Sequence, residues 1–364
     1  MSDSVSSTAL GGVTSALPRN HSAVTVSTPL LPFCICVCIL RITLDMALAG
    51  LMRRLNNNEY KNWMKAGQCL CMLQDRLLKF IVSETQKFHR EMVGSVSAPA
   101  RQRNNRCKCR AKWKQFQPNC PVCAEWKEII LSHHKNRDGD IHWGNCHPSL
   151  WPTHYWEVAK VYLPRGHLDK APNECDAAAF LNLLNTCDHF KVSDISRVRE
   201  MIKCRNDLMH NSAMKVSSSW LADFGHKMHE FVSEFKHIPG LAQEGQTMQE
   251  VLMSDWNVED IGLYEVDGQY ASCEIGEEVT QLAKYMGTLR FPADIVEINL
   301  IRQLLQELYL QIEEHSTLSN EDQDNFRKVK DFLAENYDLQ CIFEEDIQKL
   351  EHLQKDNDKL STQG

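Results

Sequence analysis

Arg197-Val198-Arg199-Glu200-Met201-Ile202-Lys203-Cys204-Arg205-Asn206-Asp207-Leu208-Met209-His210 is the stretch on which the fold turns. Ile195, Val198, Met201, Ile202 and Met209 recur at helical intervals and predict a helix opened by Ser193 and running to about His210. Its last turns carry a cation, an amide and an imidazole. A fixed cation holds a phosphate, and an imidazole moves protons near neutral pH. Arg205 and His210 are five residues apart, about 140° around an ideal helix, so they do not share one line. Asn206 and His210 stack at i, i+4. The bland alternative is a helix C-terminus whose basic residues complement its dipole.

The flanking sequence reads as helices too. Tyr60, Trp63, Met64, Leu70, Leu73, Leu77, Phe80, Ile81 and Phe88 predict one long helix over 58–92. Residues 124–134 and 156–163 predict short ones, the second closed by Pro164-Arg165-Gly166. Asp176 caps a helix running through Asp188, and Ser217 or Ser218 opens another that ends near Ile238-Pro239-Gly240. Residues 241–290 are acidic and irregular and read as a linker. Ile298, Ile301, Leu305, Leu308 and Ile312 then step by three and four, a coiled-coil-like seam. A capped helix from Ser319 and a weak one over 346–360 follow. A helical hairpin packed on itself or on the body is expected over 291–364, because two heptads are too few for a long coiled coil.

Charge divides the chain. Residues 46–240 carry 29 Lys+Arg against 19 Asp+Glu, a net of +10, whereas 241–364 carry 9 against 27, a net of −18. A basic body with an acidic tail hints at nucleic acid. Tethered so close, the tail could also occupy a basic groove as a phosphate mimic. The basic run holds Arg101, Arg103, Arg106, Lys108, Arg110, Lys112 and Lys114 with no acid, and Trp113 and Phe116 add stacking surfaces suited to single-stranded RNA. A solvated loop is the rival reading.

Fifteen cysteines lie scattered in apolar stretches or near histidines, which argues for a reducing compartment, cytosol or nucleus, rather than a disulfide framework. Within 107–147, Cys120-Pro121-Val122-Cys123 offers two ligands from one turn, half a tetrahedral zinc site. The expected set is Cys107, Cys120, Cys123 and Cys146, with Cys109 and His142 as alternates. Four protein ligands would make the metal structural. The apolar run Leu30–Leu40 is shorter than the roughly 20 residues of a membrane span, so no membrane is expected. Residues 1–45 read as a disordered or spurious extension before Met46. No P-loop glycine pattern and no paired-carboxylate motif is present, so nucleotide hydrolysis and glycosidase chemistry have no support.

The helix 197–210, with its Arg-polar-x-x-x-His spacing, resembles the HEPN superfamily, especially the group named after the DAZ-interacting zinc-finger ubiquitin ligase. Trp156–Lys160 with Leu163-Pro164-Arg165-Gly166 fits the upstream element of that group. Asn58–Trp63, Gln115–Pro118, Val122–Lys127, His142–Cys146 and Met214–Ser218 resemble a vertebrate X-chromosome open-reading-frame family, well over residues 46 to about 240, loosely over the tail and not over 1–45.

The HEPN resemblance implies an all-α, HEPN-like helical bundle over 46–240, into which the Cys/His insert at 101–147, read from its own spacing, would set a small zinc knuckle. It also implies a homodimer, in which a second copy of the same edge completes a phosphate site. RNA would be cut without a metal by attack of a ribose 2′-hydroxyl. His210 would act as general base or acid, Arg205 would stabilise the transition state, and Asn206 would orient the histidine or a phosphate oxygen. The rival expectation is a catalytically silent module that recruits a protein partner through the C-terminal helices. One observation separates them: whether Arg205 and His210 face an open basic groove or are buried in pairs with Asp or Glu.

Overall fold

A computed structural model describes residues 50–51, 53–102, 107–256, 292–314 and 320–361. The mast of the fold is α1, Asn58–Ser95, 38 residues and about 57 Å long at 1.5 Å per residue. Asn57 opens it by accepting from the amides of Glu59 and Tyr60. The sequence supplies no proline until Pro99, and Tyr60, Trp63, Leu70, Leu73, Leu77, Ile81 and Phe88 are buried along it.

Around it run α2 (Pro121–Ser132), α3 (Tyr155–Ala159), α4 (Ala177–Thr186), α5 (Ile195–Met209), α6 (Ser218–Glu234) and α7 (Leu241–Met253). No strand occurs among the described residues, so the fold is all-α as expected. No described helix is long and apolar enough to cross a membrane. The apolar run 30–40 and the rest of the extension 1–45 lie outside the described residues.

Caps fix the ends. Asp176 accepts from Ala179 N to start α4, and Ser217 from Trp220 N to start α6. The cap of α5 is Asp194, one residue beyond the expected Ser193. Trp63 Nε1 donates to the Leu208 carbonyl at 3.0 Å, which pins the end of α5 to the mast.

One expectation shifts. The segment read as linker begins with a helix, α7, which packs on α1 and α6. Leu241 and Met248 supply a narrow buried stripe, while the half-buried Glu244 pairs with the more exposed Arg76. The acidic content had masked that stripe. The rest of the expected linker lies outside the described residues.

The tail helices α8 (Pro292–Glu314), α9 (Asn320–Glu335) and α10 (Tyr337–Ser361) pack on the body. The seam Ile301, Leu305, Leu308 and Ile312 is buried, and so are Val296, Leu300 and Leu304 on a further face. Phe332 of α9 stacks on Tyr60, ring centroids 5.8 Å apart. Arg54 grips the tail with its whole fork: Nε and Nη2 to Glu297 at 2.6 and 2.8 Å, Nη1 and Nη2 to Asp338 at 3.1 and 2.8 Å, and Nη1 to Asn336. Tyr60 also donates to Glu297.

Candidate functional site

The end of α5 opens on a cleft of about 760 Å³. Arg205, Asn206 and His210 all line it, so the three motif residues come together although the ideal helix splays them. The opposite walls are α1 (Cys71, Asp75), the loop after Pro164 (Arg165, His167, Lys170), Asp176 of the α4 cap, and α8 (Arg302, Glu307, Gln311). His142, an alternate metal ligand by sequence, also lines this cleft.

Arg205 is 4 % exposed. Its Nη2 donates at 2.6 Å to Asp176 Oδ2 and at 2.6 Å to Glu307 Oε1. Burial works to lower the Arg205 pKa, but Asp176 and then Glu307 overcome it and raise it. Burial likewise pushes Asp176 up, and the Arg205 charge overcomes it, holding the carboxyl below its ordinary value. His210 is exposed, and Gln311 Nε2 comes to 3.5 Å from its Nδ1. Glu307 and Gln311, one turn apart on α8, thus face Arg205 and His210 on α5. The tail helix of the same chain lies along the edge that a second copy was expected to fill.

The second site is the knuckle. Cys107, Cys109, Cys120 and Cys123 bring their sulfurs within 4.8 Å of one another. The contacts run 3.4 Å for Cys107–Cys123, 3.7 Å for Cys109–Cys120 and 3.8 Å for Cys120–Cys107. Four thiolates about 2.3 Å from a tetrahedral zinc stand about 3.8 Å apart, so this cage fits such an ion. Backbone amides support the sulfurs: Cys109 N donates to Cys107 Sγ, Asn119 N to Cys109 Sγ and Cys123 N to Cys120 Sγ. Burial pushes Cys107 up and also acts to raise Cys120, but the Cys123 amide and the neighbouring thiols hold Cys120 below its ordinary value.

The ligand set differs from the expected one at a single corner. Cys109 takes it, and Cys146 is not in the cluster. The chain at 107–111 is extended, so Cys107 and Cys109 share one side two residues apart. Cys146 follows the short turn Trp143–Asn145 into the core, where its thiol donates to the Trp143 carbonyl at 3.2 Å and burial raises its pKa.

The same alternation places Lys108 and Arg110 outward, and Lys112 and Lys114 are exposed in the turn that follows. Lys114 pairs with Asp140 at 2.8 Å. Arg101 turns back onto the carbonyls of Val96 and Gly94. Arg103 and Arg106 lie outside the described residues. Trp113, 42 % exposed at φ +54°, lies beneath the Arg165 guanidinium at 5.7 Å. Gly144 permits the close docking of this turn, since a Cβ there would meet Trp113 N at 2.7 Å.

Sequence reasoning missed Glu307 and His167, and saw Asp176 only as a cap. A family model described as a domain of unknown function, DUF4559, matches residues 54–363, from Arg54 of the tail clasp to the end of α10 and beyond. The chain belongs to this family. It is also 45 % identical over 320 residues to the mouse (Mus musculus) uncharacterized protein CXorf38 homolog, covering 87 % of this chain and 96 % of that protein. No solved structure matches it. The family boundaries enclose body and tail together, in keeping with a tail that packs on the body.

Proposed function

We propose that this DUF4559 chain is a HEPN-like helical module that does not cleave RNA, and that its Arg–His edge serves as the internal dock of its own tail. The observation that carries this reading is the burial of Arg205 between Asp176 and Glu307. A guanidinium committed to two carboxylates has little charge left for a phosphorane. With α8 on the edge in cis, the chain is a monomer at this surface. The acidic tail, fixed against the body, would present its outer face to a protein partner in the cytosol or nucleus. Zinc in the four-cysteine cage would be structural, holding the exposed cations of the knuckle in place.

The decisive experiment incubates the full chain with generic RNA in EDTA beside a His210→Ala variant. Equal, background cutting by both is expected. Cutting that needs His210 and leaves 2′,3′-cyclic phosphate ends would overturn the reading and establish the alternative, an RNA-cleaving dimer. That alternative draws on one observation, the convergence of Arg205, Asn206 and His210 on a single cleft.

A further inference from the structure

Asp176 is flanked by two buried polar atoms that have no hydrogen-bond partner among the described residues. His167 is 4 % exposed, and its Nδ1 lies 2.8 Å from the Pro164 carbonyl. That oxygen brings no proton, so Nδ1 carries the hydrogen and Nε2 of the neutral ring keeps a lone pair. No described residue hydrogen-bonds this Nε2. Asp176 Oδ1, 4.0 Å away, is another acceptor. On the far side of the same carboxylate, Arg205 uses Nη2 twice, while its buried Nε–H finds no acceptor among the described residues. Both residues line the cleft. Each unmade bond costs about 1–3 kcal/mol, so an occupant that supplies both is favoured.

We propose that the cleft binds a phosphate monoester as its monoanion, the P–OH donating to His167 Nε2 and an anionic oxygen accepting from Arg205 Nε. One unmet acceptor beside one unmet donor calls for a group that both gives a proton and accepts one, and among anions this favours a phosphate monoester. Sulfate and carboxylates have oxygens for Arg205 but no proton for His167 at neutral pH. A metal cation has neither a proton to give nor an oxygen to accept with. Arg165, Lys170 and Arg302 on the cleft wall set positive charge against the carboxylates of Asp75 and Glu174, and the cleft has room for the organic group of an ester. Glu307 places one oxygen on Nη2, beside the Nε edge that a phosphate would span. It is therefore an internal competitor, and ligand entry loosens α8 from α5.

Burial keeps His167 below its ordinary pKa, with Asp176 acting to raise it and Lys170 to lower it. The imidazole is thus an acceptor near pH 7, and the ligand brings the proton. The groups that face the site are Arg165, Lys170, Arg205 and Arg302 against Asp75, Glu174, Asp176 and Glu307, with His142 and His210 beside them. Binding should tighten as pH falls from 8 to 6.5, following the monoanion fraction of a phosphate whose second pKa is about 6–7.

This inference is independent of the non-cleaving reading, because phosphate binding and RNA cleavage are scored separately. The full chain is titrated calorimetrically with methyl phosphate, inorganic phosphate and sulfate at matched ionic strength. Both phosphates are expected to bind, with sulfate about tenfold weaker or more, the value of one charge-assisted hydrogen bond. Glu307→Gln, at a half-buried position where folding is retained, should tighten phosphate severalfold. His167→Gln carries an amide that can also donate, so it should narrow the preference for phosphate over sulfate. No phosphate binding at millimolar concentration would overturn the site and leave a bridging water as the occupant. Equal binding of sulfate and phosphate by the unmodified chain, or no gain with Glu307→Gln, would overturn it as well.

Discussion

Arg205 and Glu307 stand 102 residues apart in sequence and meet at 2.6 Å, joining the motif helix to the acidic tail. This pair decides how the chain is to be read, because a carboxylate of the tail rests on the cation that a nuclease would aim at phosphate. The phosphate-mimic idea drawn from charge alone thus has a named residue. The Arg205 side chain is 5 % exposed, against 18 % for Asp176 and 27 % for Glu307, so the cation is the most desolvated member.

Removing that cation takes the main counter-charge from two carboxylates, Lys170 acting on Asp176 only more weakly. Arg205→Ala is expected to destabilise the chain by about 3–5 kcal/mol, and Glu307→Gln by about 1 kcal/mol or less, since Asp176 still serves Arg205. Urea denaturation of the three proteins measures this. A loss below about 1 kcal/mol for Arg205→Ala would mean that the pair behaves as a surface ion pair.

Gly67 of α1 is where the tail comes closest to the mast. A Cβ there would overlap the Leu300 side chain of α8. Gly67→Ala should cost about 1–3 kcal/mol by overpacking, despite alanine's better helix propensity. Leu300→Ala in the same chain should recover part of the loss. A stabilised Gly67→Ala protein would show that α8 does not sit against α1.

Metal analysis of reduced protein should find about one zinc per chain. Cys109→Ser or Cys120→Ser should abolish it and lower thermal stability. Cys146→Ser should leave the zinc content unchanged, because its thiol bonds the Trp143 carbonyl outside the cage. Zinc loss in the Cys146 variant alone would restore the ligand set read from sequence.

Acidification should weaken the fold from about pH 6.5 downward, the ordinary histidine value. His89, His134 and His167 are each held below that value, burial being the leading cause. A depressed pKa means the folded state prefers the neutral ring. Stability is then full above the unfolded pKa and falls as pH drops toward the folded one. Melting temperatures between pH 7.5 and 5.5 test this, and a flat profile would refute it.

The helices were legible where their periodicity is strong and local. Trp63, Leu70, Leu73 and Leu77 announce α1, and Asp176 announces α4. The cage was legible in three of its four corners; the fourth turned on whether residues 107–111 run extended, which two cysteines in a basic run do not reveal. α7 was lost because Glu244 and Glu250 outweigh the two buried positions Leu241 and Met248. Glu307 was invisible for a different reason. An ion pair across 102 residues leaves no period in the sequence, and a glutamate on the flank of a seam looks like a solvated one.

The Arg54 clasp also sets a timetable for synthesis. Arg54 is made near the start, yet Asp338 is translated 284 residues later. At about 5–20 residues per second the gap is roughly 15–60 s. Glu297, the first of its three tail partners, follows Arg54 by 243 residues, so for most of that interval the guanidinium has none of them, and the groove of α1 that receives Leu300 and Phe332 stands uncovered on the ribosome. The body therefore cannot reach its final packing until the tail helices emerge, and a nascent chain stalled before α8 would offer chaperones an apolar face along its longest helix.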